Sequence, residues 1–243
     1  EVVFQPQGLL SGGHFAGTDS ARARAFLDIA NDESFDALWF ARGGYGSNRI
    51  LDEVMPRLSP AARNKTYLGY SDTGFLLAAL YKAGFPHIAH GPVVNDIKRD
   101  GGDIAFSRGI RWLAAHDETA LVPSLSPNVP AIALNMKIAT SLIGTEYLPD
   151  LAGHVLMLED TAEYHYSIDR MMWQLTSHAP MEKLAGIRLG RCSAIPDNDP
   201  PFEQSEEEIV RHWCTVSRIP YLGRADIGHD IENKVVPFGL PKV

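Results

Sequence analysis

The stretch 66–80 constrains this chain most. Thr66-Tyr67-Leu68-Gly69-Tyr70-Ser71-Asp72 is an apolar, β-prone run that ends in a tight Gly-x-Ser turn, and Thr73-Gly74-Phe75-Leu76-Leu77-Ala78-Ala79-Leu80 opens a helix pattern at once. A serine on such a corner is held with its hydroxyl exposed near a helix N-terminus, which is how α/β folds present a nucleophile. Ser-Asp before an apolar run is also an ordinary helix N-cap. The corner by itself leaves both readings open.

Strand and helix patterns alternate at short spacing around it. Asp19-Ser20 offers an N-cap for a helix over 21–30, with Ala25, Phe26, Ile29 and Ala30 on one face. A buried strand over 35–41 runs into Arg42-Gly43-Gly44-Tyr45-Gly46, and a helix over 49–55 follows. The strand 65–69 feeds Ser71 and a helix to 83, and 86–92 is a further short strand ending in a Gly-Pro turn. That alternation predicts a parallel sheet with crossover helices, an α/β fold.

The second half reads differently. Residues 100–116 are helical in part, 117–130 form a loop rich in Pro and Ser, and 135–144 predict a helix stopped by Gly144. The strand 153–158 delivers Glu159-Asp160, and Tyr166, Ile168, Met171, Met172 and Leu175 then recur at helical spacing as a core stripe. Ser205-Glu206-Glu207-Glu208 marks another helix N-terminus, where acidic residues favour the dipole. The domain boundary is expected in the 117–130 loop. It gives an N-terminal α/β domain over 1–120 carrying the serine corner and a C-terminal domain over 121–243.

Composition narrows the function classes. The chain has 243 residues, 45% hydrophobic and 21% charged, enough for a sizeable core. Its net charge of −8 and scattered Lys and Arg give no footprint for nucleic acid, so a small substrate or a protein partner is expected. Cys192 and Cys214 allow one disulfide but provide neither a disulfide framework nor metal spacing, and read as two unpaired buried thiols of a cytoplasmic protein. No apolar run approaches membrane-spanning length. No His-Glu-x-x-His occurs, and neither a metal nor another cofactor is expected.

Three segments put a reactive side chain past a strand or at a glycine turn: Ser71, Glu159 and His229, the last within Ala225-Asp226-Ile227-Gly228-His229-Asp230. A nucleophilic serine needs a base, and the base needs a carboxylate to orient it. Ser, Glu, His is the chain order of α/β-hydrolases. Taken singly, Glu159-Asp160 also reads as a helix cap and His229 as a surface turn residue. The turn 42–46 has three readings. It lacks the Lys-Ser/Thr of a phosphate loop, it suits a plain strand-to-helix turn, and it suits an oxyanion hole. In the last case Gly43 or Gly44 N–H, with the N–H of Asp72, would hold the developing negative oxygen.

These residues resemble the LD-carboxypeptidases, whose relatives include the microcin-immunity peptidases. The likeness runs through Phe15-Ala16-Gly17-Thr18-Asp19, Ala41-Arg42-Gly43-Gly44-Tyr45-Gly46, Gly69-Tyr70-Ser71-Asp72 and His90-Gly91-Pro92. It continues in Leu142-Ile143-Gly144-Thr145, Leu158-Glu159-Asp160, Tyr166-Ser167-Ile168-Asp169-Arg170, Gly228-His229, Asn233 and Pro237-Phe238-Gly239. The resemblance implies a serine peptidase with Ser71 as nucleophile, His229 as general base and Glu159 as the orienting carboxylate. It implies cleavage between an L-configured centre and a terminal D-amino acid, releasing D-alanine from murein tetrapeptides in cell-wall recycling. It further implies an N-terminal α/β domain resembling class I glutamine amidotransferases, a smaller C-terminal domain, a triad lying across the two, and a homodimer.

A carboxypeptidase must also recognise a free carboxylate. Arg42 and Arg49 are the candidates for a fork contact, with Tyr45 and His90 as further substrate contacts. A hydrolase of another peptide or peptide conjugate and a non-catalytic peptide-binding relative are the alternatives. The short Ser71–Glu159 interval favours the LD-carboxypeptidase side of the family. Against the family pattern the chain looks clipped at both ends, which would leave a sheet edge exposed. Thr73-Gly74 replaces the usual aliphatic-Thr pair, and Gly74 is expected to weaken its helix by about 1 kcal/mol relative to Ala.

Overall fold

The computed structural model describes residues 1–241. Among these described residues eight strands form two four-stranded sheets. The first takes β1 (Ala37–Trp39), β2 (Thr66–Gly69), β3 (Ile88–His90) and, after a long excursion, β8 (Val236–Pro237). The second takes β4 (Ala131–Asn135), β5 (Val155–Thr161), β6 (Gly186–Ser193) and β7 (Tyr221–Arg224), all parallel and in sequence order. β1, β2 and β3 are parallel, while β8 runs antiparallel to β3. Parallel neighbours need crossovers. Here α2 (Leu51–Val54) and α3 (Gly74–Lys82) serve the first sheet, and α5 (Met136–Leu142), α6 (His165–Thr176) and α7 (Glu206–Ser217) the second. α1 (Asp19–Ala30) precedes β1, and α4 (Gly102–Ala115) lies between the sheets in sequence. The mixed α/β architecture with parallel sheets is the expected fold class.

A continuous apolar core joins the layers. It runs from Phe26 and Ala30 of α1 through Leu76 and Leu80 of α3 to Leu134, Leu156 and Leu189 of the second sheet and Ile168 and Ile209 behind it. The sheets are also tied by backbone. Ala131 at the start of β4 exchanges hydrogen bonds of 2.9 and 2.8 Å with Gly239, just past β8. The last strand therefore crosses back to the first sheet and anchors the segment before it against both.

Local chemistry accounts for most element ends. Thr18, rather than Asp19-Ser20, caps α1, its hydroxyl accepting from Ala21 N–H at 3.2 Å. Asp19 is thereby released to pair with Arg22 and Arg49. Ser205 and Glu208 form the reciprocal capping box of α7, as the Ser-Glu-Glu-Glu run predicts. β4, β6 and β7 lie outside the strands read from sequence. β6 mixes Gly186, Gly190, Arg188 and Arg191 into its apolar run, and β7 has only four residues. Gly74 has a tertiary reason: a Cβ there would stand 3.2 Å from both Ile138 and Leu134, so glycine lets α3 pack closely against α5 and β4. Cys192 and Cys214 are free thiols. Among the described residues no helix is long and apolar enough to cross a membrane.

Candidate active site

Ser71 sits where β2 ends and α3 begins. The residues Ser71–Thr73 form a single 3-10 turn, and the α-helix proper starts at Gly74. Ser71 has φ of 61°, the left-handed region that costs a non-glycine residue about 1–3 kcal/mol and concentrates at functional sites. The strain is held in place locally. Thr73 donates its hydroxyl to Tyr70 O at 2.8 Å. Gly69 is needed because a Cβ there would lie 2.7 Å from both Phe40 and Thr73. Ser71 is thus a strained corner residue, and its side chain does not cap the helix.

The glycine turn is pressed against this corner. A Cβ on Gly43 would lie 2.7 Å from Ser71 Cβ and 3.1 Å from its Oγ, so only glycine permits the approach. Gly44 follows with φ of 116°. Asp72 fastens the turn: its buried carboxylate accepts from Gly46 N–H at 2.9 Å, Ser47 N–H at 2.8 Å and the Ser47 hydroxyl at 2.8 Å. Of the three oxyanion-hole candidates, Gly43 is packed on Ser71, Asp72 follows it in the chain, and Gly44 lies in the turn that the Asp72 carboxylate fastens.

His229 arrives from the β7–β8 connection. Its Nε2 is 3.0 Å from Ser71 Oγ, and its Nδ1 is 2.5 Å from Glu159 Oε2. With Nδ1–H donated to the carboxylate, Nε2 is left to accept the serine proton. Glu159 is fully buried in β5. Burial pulls the His229 imidazolium down, but the hydrogen bond and charge of Glu159 more than offset it, so the ring titrates above its ordinary value. Tyr70 packs its ring edge-on against His229 at 4.9 Å and donates its hydroxyl to buried Asp96 at 3.0 Å.

The neighbouring carboxylate, Asp160, faces the other way, as strand alternation requires. It accepts from Asn135 Nδ2 at 2.9 Å and Lys137 N–H at 3.2 Å, tying β5 to the start of α5. Burial, assisted by the charge of Glu159, pushes it up to about 6.

The four substrate-contact candidates separate. Arg42 is exposed beside the turn and donates Nε to Gly43 O at 2.9 Å. Tyr45 is half exposed, its ring near those of His14 and Phe15. Arg49 is engaged elsewhere, with its guanidinium on Asp19 and over the Phe15 ring. His90 is buried at 1% exposure, its Nε2 3.0 Å from Asn233 Oδ1, where it supports the His229 segment from below. Burial holds His90 below its ordinary value, so it stays neutral there. The same Asn233 oxygen accepts from Gly228 N–H at 3.2 Å. The supporting roles of Tyr70, Asp96 and Asn233 emerge only from these contacts. The motifs quoted from sequence contain Tyr70 and Asn233, but nothing in the residues alone pairs them with His229 and His90.

A cavity of about 550 Å³ between Arg191, Arg224, Glu206 and Asp226 includes none of Ser71, His229 or Glu159 in its lining. The chemistry is therefore located by the hydrogen-bond chain and not by this hollow. Among the described residues no three His, Cys, Asp or Glu side chains gather as a metal site. What Ser71, His229 and Glu159 can do together is deprotonate a hydroxyl beside a turn of backbone donors, which is acyl-transfer chemistry.

Known proteins bear on this geometry. The sequence model of the LD-carboxypeptidase N-terminal domain matches residues 1–91, and that of the LD-carboxypeptidase C-terminal domain matches residues 130–242. A putative carboxypeptidase of Synechocystis is 32% identical over 98% of this chain and 79% of that protein. The murein tetrapeptide carboxypeptidase of Pseudomonas aeruginosa is 25% identical over 95% of this chain and 79% of its own length. The structure of the microcin C7 self-immunity protein in its wild-type apo state superposes with a TM-score of 0.81 at 20% identity, covering 98% of this chain and 81% of that one, which shows a shared fold.

Proposed function

The chain belongs to the LD-carboxypeptidase family, and on that footing we propose that it is a serine carboxypeptidase releasing a C-terminal D-amino acid, D-alanine, from murein tetrapeptides in cell-wall recycling. The family and its carboxypeptidase relatives support a peptidase. The observation that carries the serine mechanism is the hydrogen-bonded sequence Ser71 Oγ, His229 and buried Glu159.

Ser71 Oγ attacks the carbonyl that precedes the terminal D-residue, while His229 Nε2 takes its proton. Glu159 holds the imidazole in the Nδ1–H tautomer and stabilises the imidazolium. The N–H groups of Gly43, Gly44 and Asp72 receive the oxyanion, each such donor contributing about 3–4 kcal/mol to the transition state. His229 returns the proton to the leaving amine, the C–N bond breaks, and the free D-amino acid departs. Water, deprotonated by the same histidine, then hydrolyses the acyl-enzyme. Exposed Arg42 takes the substrate carboxylate, since Arg49 is held by Asp19. Tyr45 flanks the substrate at the mouth of the turn. The triad spans two units meeting in the 117–130 loop, and the enzyme acts as a cytoplasmic homodimer, as the family likeness implies.

Incubation of the purified protein with a murein tetrapeptide, with D-alanine measured enzymatically, tests the reading. Release by the wild type and none by Ser71→Ala is expected. Full release by Ser71→Ala would refute the mechanism, while turnover of an acyl-peptide conjugate alone would move the substrate to the immunity side of the family.

A further inference from the structure

His229 belongs to no helix or strand. It lies in the connection 225–235 between β7 and β8, and a base must be held to fractions of an ångström to work. Arg191, on β6, grips that connection on both sides of the histidine. Its Nε and Nη2 bond Asp230 Oδ2 and Oδ1 at 2.5 and 2.8 Å, and its Nη1 bonds Asp226 Oδ1 at 2.5 Å. Its backbone N–H also donates to Ile227 O at 2.8 Å. One residue thus makes three side-chain bonds and one main-chain bond to positions 226, 227 and 230, bracketing His229.

The anchor lies on the strand beside the one that holds the triad carboxylate. β6 pairs with β5, and a Cβ on Gly190 would lie 3.0 Å from Glu159 Cβ and 2.7 Å from Ile227 O. Gly190 lets the histidine connection lie directly on the strand next to Glu159, and Arg191 locks it there. We infer that Arg191 is a positioning residue for His229, setting the base against Glu159 and Ser71 through its forked contact with Asp226 and Asp230. The inference rests on the serine-hydrolase reading of the site. Exposed ion pairs contribute little to stability on average. A planar fork fixes direction as well as charge, so the loss should fall on turnover more than on folding.

Arg224 provides the matched control. From β7 it forks Glu206 and Glu207 of α7 with bonds of 2.9 and 2.8 Å and bonds the main-chain Gly190 O at 3.0 Å, but makes no bond to the 226–230 segment. Two readouts separate this inference from the substrate reading: D-alanine release from a murein tetrapeptide, and the rate at which a fluorophosphonate labels Ser71, which needs His229 but no particular peptide. Arg191→Ala should lower kcat and the labelling rate about 10²-fold with KM within about twofold. Arg191→Lys, which keeps the charge and loses the fork, should recover part of both. Arg224→Ala should match the wild type in both. Wild-type labelling without D-alanine release overturns the substrate and leaves the labelling series to decide on Arg191. Equal labelling of Arg191→Ala, Arg191→Lys and wild type overturns the positioning role, as does an equal loss in Arg191→Ala and Arg224→Ala. If Arg191→Ala fails to fold, the Lys variant decides: wild-type labelling by it overturns the role of the fork.

Discussion

Ser71 and His229 face each other across a 3.0 Å hydrogen bond from two differently built supports. The serine corner is local. Its strand, its turn and its helix are consecutive, and one side-chain brace, from Thr73 to Tyr70 O, spans three residues, while Asp72 ties the corner to the single turn at Gly46 and Ser47. The histidine connection has no helix or strand of its own, and its short-range turn bonds, such as Lys234 N–H to Asp226 O at 3.1 Å, are supplemented from afar. Arg108 of α4 bonds Ile231 O and Asn233 O at 2.8 Å each, His90 of β3 holds Asn233, and Arg191 of β6 holds Asp226 and Asp230. Three distant parts of the chain therefore place one imidazole. The nucleophile is oriented by backbone strain at a strand-to-helix junction, and the base by polar contacts of long sequence separation. Loss of a single contact should disturb the second support more readily than the first.

Substitutions can break or sharpen that contrast. The largest effect belongs to Ser71→Ala. It should lower kcat about 10⁶-fold and leave the melting temperature within a degree or two, because the corner's braces are untouched. Tetrapeptide turnover and thermal melts read both quantities. Glu159→Gln should cost about 10⁴-fold, since the amide no longer favours the imidazolium or its tautomer. The sign of the pH effect follows from the causes acting on His229. Burial lowers its pKa, and Glu159 raises it by more. A general base works when neutral, so wild-type kcat/KM should rise with pH through an inflection above about 6.5. In Glu159→Gln burial and the charge of Arg99 pull the ring down against only the weaker charge of Asp160, so the acid limb of the residual activity should move to lower pH. A pH profile in which the Gln variant's limb stays in place would count against the His229–Glu159 pairing.

Two smaller effects compare the supports directly. Gly43→Ala drives a methyl into Ser71, 2.7 Å from its Cβ, and should lower kcat about 10²-fold by displacing the nucleophile or the turn. Asn233→Ala leaves the buried Gly228 N–H and His90 Nε2 without an acceptor, at about 1–3 kcal/mol of stability. Chemical denaturation should show that loss. Hydrogen exchange should show it concentrated in the 226–234 segment, with the 69–74 corner as protected as in the wild type. Uniform loss of protection at both would abolish the distinction between the two supports.

Legibility in the sequence follows the same division. The 66–80 pattern announces its strand, turn and helix because each of those choices is made by near neighbours. β5 and α7 are legible for the same reason, through an apolar run and a Ser-x-x-Glu box. β6 escapes the pattern because Arg188 and Arg191 stand in it. The first serves Leu222 O, and the second serves the histidine connection, contacts that do not exist until the second sheet forms. Gly74 reads as a helix defect until α5 is packed against it. His90 reads as a substrate contact at the end of a short strand until β8 and Asn233 close over it.

Sequence alone determined the α/β class, the serine corner, the glycine turn beside it and the order Ser, Glu, His, together with the family likeness those residues carry. All of these depend on short-range geometry or on residue identity. The tertiary structure decided that Glu159, named from the resemblance, meets His229 while Asp160 turns away, that Asp72 fastens the glycine turn through its carboxylate, and that Arg49 is held on Asp19 while Arg42 lies along the glycine turn. The physical reason is common to the three. A side chain's partner is chosen by which faces the packed sheets bring together, and strand alternation turns adjacent carboxylates to opposite faces.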